Sequence, residues 1–197
     1  MVFAACRSTQ IKLFGVTKSG IPSGLIHLCT YELVDYKVSS SMTQPPPEIE
    51  EQYTKIDKEL ILRESLLSLD SSLDPKEEGP GKVQLAVGGV GTHIYLIDPV
   101  KGESVGVLQG HMNTVMDVKF SKKRPSWLLS ASTDQAVLLW NTKTRQQLAH
   151  FHEIDYKNHY TAFTCLTWYE DNFAVGNADG RVHLWTVPFT VDSLASK

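Results

Sequence analysis

The chain has 197 residues, is 42% hydrophobic and carries a formal net charge of −3, enough to bury one core or one and a half. This balance provides no global positive field for nucleic acid, and no apolar run reaches the 18 residues that a membrane helix needs. The start, MVFAACRSTQIKLF, has no basic region ahead of its short apolar stretch, so a signal peptide is not expected.

Taken in chain order, residues 2–14 (VFAACRSTQIKLF) read as two short β segments around a polar turn. Residues 40–81 break the pattern. They open with Ser39–Ser41 and Pro45–Pro47 and close with Gly79-Pro80-Gly81, which punctuate linkers. Between 48 and 78 there are ten acidic and four basic residues, which leaves the rest of the chain slightly positive. Ile49, Tyr53, Ile56, Leu60 and Leu67 recur at helical spacing, so the expectation is a solvated acidic insertion with a short amphipathic helix; Glu59–Leu66 as a strand is the alternative. Its boundaries divide the chain into residues 1–39, the insertion 40–81, and 82–197.

Beyond the insertion, residues 85–99 (LAVGGVGTHIYLIDP), 128–142 (LLSASTDQAVLLWNT) and 173–187 (FAVGNADGRVHLWTV) are copies of one unit. Asp134 falls on Asp179 and Trp140 on Trp185 at a spacing of 45, while Ile97 takes the Trp position 43 residues before Trp140. Residues 2–14 are a fourth copy, with Phe14 at that position. Around the central copy, Thr114–Phe120, Trp127–Ser132, Ala136–Trp140 and Gln146–Phe151 read as four strands, and Thr133-Asp134-Gln135 as a turn capped by its carboxylate. Phe163–Trp168, Phe173–Gly176 and Arg181–Trp185 repeat that order. A period of 40–45 residues with four short strands per unit is the mark of an all-β propeller.

Cys6, Cys29 and Cys165 form no CxxC pair and read as reduced, buried thiols. His152, His159 and His183 match no zinc spacing, so no metal and no cofactor are expected. The run Val87–Gly91 lacks GxGxxG spacing and precedes a strand, which makes it a tight turn. Lys119, Lys122, Lys123 and Arg124 fall on a loop between strands, a solvated cluster with phosphate or an acidic partner as the alternative reading. His, Asp and Ser in one repeat invite comparison with a hydrolase triad, but there is no Gly-x-Ser-x-Gly elbow and the serines sit in a strand, so no enzyme is expected.

Gly110-His111, followed by Trp140-Asn141, resembles the Gly-His…Trp-Asp pattern of the WD40 family. The resemblance implies a WD40 β-propeller with a hydrogen-bonded tetrad across the blade, formed here by His111, Ser130 or Ser132, Asp134 and Trp140. In the last repeat the corresponding residues are His159, Asp179 and Trp185. About four blades are expected, an incomplete ring in a family that uses seven, and hence an unstable chain or one completed by another chain. Within that family, residues 2–14 with GLIHLCTYELVD, LAVGGVGTHIYLIDPVKGESVGVLQGHMNTVMDVKF, PSWLLSASTDQAVLLWNTKTRQQLAHF and NFAVGNADGRVHLWTV resemble the extra sex combs branch of Polycomb-group proteins. That implies a non-catalytic nuclear subunit that binds a histone methyltransferase subunit and a methylated histone tail, with no direct nucleic-acid or membrane contact. Tyr53, which precedes Thr54, matches a cage tyrosine of that branch, whose ring face would hold a quaternary ammonium. The alternative is a general WD40 adaptor, cytoplasmic, in a ubiquitin-ligase or trafficking assembly.

Overall fold

A computed structural model describes the backbone of residues 2–5, 10–16, 25–34, 37–41, 66–76, 82–99, 101, 103–152 and 161–188, and from residue 66 onward almost all of their side chains. Among these residues there are fifteen strands and no helix. β1 (Val2–Ala5), β2 (Gln10–Val16), β3 (Leu25–Val34) and β4 (Lys37–Ser41) form the first sheet in sequential order. The second contains β5 (Leu66–Leu73), β6 (Val83–Gly89), β7 (His93–Asp98) and β8 (Glu103–Gln109). In the third are β9 (Val115–Phe120), β10 (Trp127–Ser132), β11 (Ala136–Asn141) and β12 (Gln146–His152), and in the fourth β13 (Phe163–Tyr169), β14 (Asn172–Asn177) and β15 (Val182–Thr186). Every neighbouring pair is antiparallel and consecutive in sequence, so each sheet is a meander closed by short turns.

The repeats of the sequence are repeats of register. Val2 pairs with Phe14, Leu85 with Ile97, Leu128 with Trp140 and Phe173 with Trp185, each across the same hairpin of its sheet. Turn backbone follows the same rule: Gln135 (φ 69°) and Gly180 (φ 79°) occupy equivalent positions in the left-handed region.

Two apolar layers hold the second, third and fourth sheets together. Ala86, Ile94, Leu96 and Leu108 of the second sheet meet Val118, Phe120, Leu138 and Trp140 of the third. On the far side of the third sheet, Leu129, Val137 and Leu139 meet Phe163, Leu166, Phe173 and Val175 of the fourth. β10 and β11 are buried along their whole length because both of their faces are covered, and they read as continuous apolar runs for that reason. Gly88 lies so close to β9 that a Cβ there would stand 2.6 Å from Val115 Cγ1, so the glycine lets the second and third sheets approach.

Part of the acidic segment differs from expectation. Residues 66–73 form β5, the innermost strand of the second sheet, and Leu67 therefore sits in a strand and not on a helix. Ser39–Ser41, read as linker punctuation, belong to β4. Alternation in Leu66–Leu73 is masked by Ser68, Asp70 and Ser72, polar side chains that bond to Asp117, Phe120 and Pro125 of the neighbouring sheet and its connection, which is why the segment looks solvated in sequence. Ile49, Tyr53, Ile56 and Leu60 lie outside the described residues.

Candidate functional site

The third sheet holds a polar network in its interior. Trp140, on β11, donates its indole N–H to Ser130 Oγ on β10 at 2.8 Å. Ser130 Oγ lies 2.7 Å from His111 Nε2, and His111 Nδ1 lies 2.9 Å from Asp134 Oδ2. An indole N–H only donates, so Ser130 Oγ accepts from Trp140, and an ionised carboxylate only accepts, so Asp134 takes its bond from the Nδ1–H of His111. The relay runs from Trp140 through Ser130 and His111 to Asp134. The His111 side chain has no exposed surface and Asp134 only 11%.

Each participant is placed by local chemistry. His111 follows β8 directly, and Gly110 before it packs so tightly that a Cβ would stand 2.8 Å from Trp140 Cη2. Asp134 sits in the β10–β11 turn, where its carboxylate accepts the backbone N–H of Ala136 at 2.9 Å and of Met112 at 2.8 Å. Partial burial works against its charge, but the bonds from His111, Met112 and Ala136 outweigh it and hold the carboxyl below the usual carboxylate range. Ser132, the other serine considered for the relay, has a different task. It donates to Asn113 O at 3.2 Å and accepts the Asp134 N–H at 3.1 Å, fastening the turn to the segment before β9.

An Asp–His–Ser chain with these distances has the connectivity of a hydrolase triad. Its serine, however, is fully buried in a strand and already takes the Trp140 proton, so no substrate carbonyl can reach Oγ. The arrangement stiffens a sheet and cannot present a nucleophile.

The second and fourth sheets do not reproduce it among the described residues. In the second, Val87, Gly91 and Ile97 stand where Ser130, Asp134 and Trp140 do, and buried Val87 and Ile97 replace the polar chain by packing. In the fourth, Val175 stands at the Ser130 position, so Trp185 is offered no hydroxyl there. Asp179 accepts from Thr161 Oγ1 at 2.5 Å, and Trp185 stacks on His183 and packs against Phe163 and Phe173. The structure therefore does not join Asp179 to Trp185 among the described residues, and His159 lies outside them, as does Tyr53. The basic cluster is largely paired: Lys119 with Asp117, and Lys123 and Arg124 with Asp171, while Arg124 also lies 4.3 Å over the Trp127 ring.

Sequence reading missed Asp117. Its carboxylate accepts from Ser68 Oγ on β5 at 2.7 Å, from Lys119 Nζ at 2.8 Å and from the Leu166 N–H on β13 at 2.9 Å. One side chain thus ties three sheets along their innermost strands, aided by Asp70, which accepts the Phe120 N–H at 2.7 Å. The signal was an aspartate in a strand between buried Val115 and Val118, a position that demands partners.

Residues 102–141 match the family described as "WD domain, G-beta repeat". The chain is 38% identical over 80 residues to Polycomb protein esc of Musca domestica, covering 41% of this chain and 18% of that protein. It is 34% identical over 80 residues to WD repeat-containing protein 44 of Xenopus laevis, covering 41% of this chain and 8% of that one. The match thus spans less than a fifth of either relative. With the relay, the four meanders and their common register, these likenesses identify residues 102–141 as a WD40 repeat and the fold of the described residues as that of part of a WD40-type β-propeller.

Proposed function

We propose that this chain is a non-catalytic scaffold in a Polycomb-type histone methyltransferase complex in the nucleus, where it contacts a methyltransferase subunit and a histone tail. The observation that carries this reading is the 38% identity over 80 residues to Polycomb protein esc. The physical character of the sheets supports it. A serine–histidine relay locked inside a stiff blade leaves the turns at the sheet ends as the chemically variable surface, which is how a rigid scaffold recognises partners. In this reading Tyr53 provides the aromatic face for the methylated lysine.

Affinity purification of the endogenous full-length protein, followed by mass spectrometry, tests the proposal. A SET-domain methyltransferase is expected among the recovered proteins. Its consistent absence, with coat or cullin-ligase subunits in its place, would retire the chromatin role. A second reading, a WD40 adaptor of a cytoplasmic assembly, is favoured by the comparable identity to WD repeat-containing protein 44, and that second recovery would establish it.

A further inference from the structure

β12 is the outermost strand of the third sheet, and its sequence reads His150-Phe151-His152. Residues two apart on a strand project to the same side, about 7 Å apart along the chain, so the pleat sets His150 and His152 side by side while Phe151 turns inward to pack on Phe173 and Trp185. Both histidines are exposed, and their ring centres are 5.2 Å apart with the planes tilted by 48°. Across the strand pair they stand opposite Leu138 and Ala136, which provide no polar group to engage them. Neither imidazole has a hydrogen-bond partner among the described residues, and so both keep a ring nitrogen lone pair available.

We propose that His150 and His152 form a two-point chelate for a late first-row divalent cation, the zinc, nickel and copper class that imidazole prefers. A cation bound at about 2.0–2.1 Å from a ring nitrogen lies about 3.2 Å from the ring centre, and two such rings at a tetrahedral angle have centres about 5.2 Å apart. The observed separation is 5.2 Å, so the ion is accommodated by turning the rings about their side-chain bonds without moving the strand. Among the described residues no group of three or more histidine, cysteine or acidic side chains converges, so water completes the shell and the site is open and exchangeable. Such a site differs from a structural zinc centre, whose ligand spacings are absent here. It arises from strand geometry alone.

The test is a Ni2+ titration of the full 197-residue chain at neutral pH. It is followed through the histidine ring signals in NMR. One ion per chain is expected, with the signals of His150 and His152 broadening first and Zn2+ competing for the site. His150→Gln and His152→Gln should each weaken binding by about tenfold or more, because each leaves one ligand in place of two. His93→Gln should change nothing. Both test positions are exposed on an outermost strand, so the variants keep the fold, as circular dichroism will verify. Broadening that starts at other histidines, binding unchanged in the two variants, or the lack of saturation would each overturn the proposal.

Discussion

Ser130 is the residue on which the relay turns, since it accepts from Trp140 and faces His111 at once. Ser130→Ala takes the partner from the Trp140 indole N–H and from His111 Nε2, while His111 keeps Asp134, and an unsatisfied buried group costs about 1–3 kcal/mol. The expected loss is about 2–4 kcal/mol in urea denaturation. Ser132→Ala removes only a turn fastening and should cost about 1 kcal/mol. Equal losses in the two variants would show that the relay is no more valuable than the turn. Asp134 adds a pH dependence whose sign follows from its folded state. Its carboxyl is held below the ordinary range, so the native state binds its proton less readily than the unfolded chain does. The stability it contributes is present above the unfolded carboxylate value of about 4 and disappears as pH falls through the lower folded value. Asp134→Asn should therefore lower stability at neutral pH and flatten the acid limb of the denaturation curve. An acid limb as steep as that of the unmodified chain would refute the assignment.

At the level of strands and turns, glycine placement decides how close the elements come. Gly110→Ala drives a methyl group into the Trp140 ring, 2.8 Å away, and should destabilise by about 1–3 kcal/mol, as measured by chemical denaturation. No loss at that position would mean that the β8–β9 connection yields freely. Strand positions from Thr114 to Trp185 were legible in the sequence because their alternation and turn residues are strong and recur with one period. β5 was not. Its Ser68 and Ser72 bond across to Asp117 and Pro125 and its Asp70 accepts the Phe120 N–H, and a strand that satisfies its neighbours with side chains loses the apolar signature. The relay in the third sheet was legible as a set of four residue types, but the choice of Ser130 over Ser132 was not, because both fall on one face of β10 and only their places along it differ: Ser130 lies between Trp140 and His111, whereas Ser132 follows a register shift and sits at the turn beside Asn113. In the fourth sheet, conservation of Asp179 and Trp185 between repeats concealed Val175, the one substitution that removes the hydroxyl between them.

At the scale of the whole molecule, Asp117 couples three of the described sheets, because its bonds cross two sheet boundaries. The β8 strand closes the second sheet while the same matched segment, residues 102–141, runs on through β9, β10 and β11 of the third. The sequence repeat is thus offset by one strand from the sheet, and covalent lacing and the Asp117 ties act together. Asp117→Ala strips Ser68, Lys119 and the Leu166 N–H of their acceptor and should cost about 2–3 kcal/mol. It should also broaden the unfolding transition, as the sheets begin to melt separately. A transition as sharp as before would show that apolar packing alone couples them.

The buried indole proton of Trp140 has a further consequence, in the time domain. It is enclosed by a sheet buried along both central strands and held by a serine that water does not reach. Its exchange with deuterium therefore waits for the blade to open as a unit, whereas the half-buried Trp185 indole exchanges through smaller local openings. The two tryptophans form a pair of internal clocks, one timing the opening of a blade and the other the breathing of its neighbour. If both ran at the same rate, opening would be a property of the whole stack of sheets and not of one blade within it.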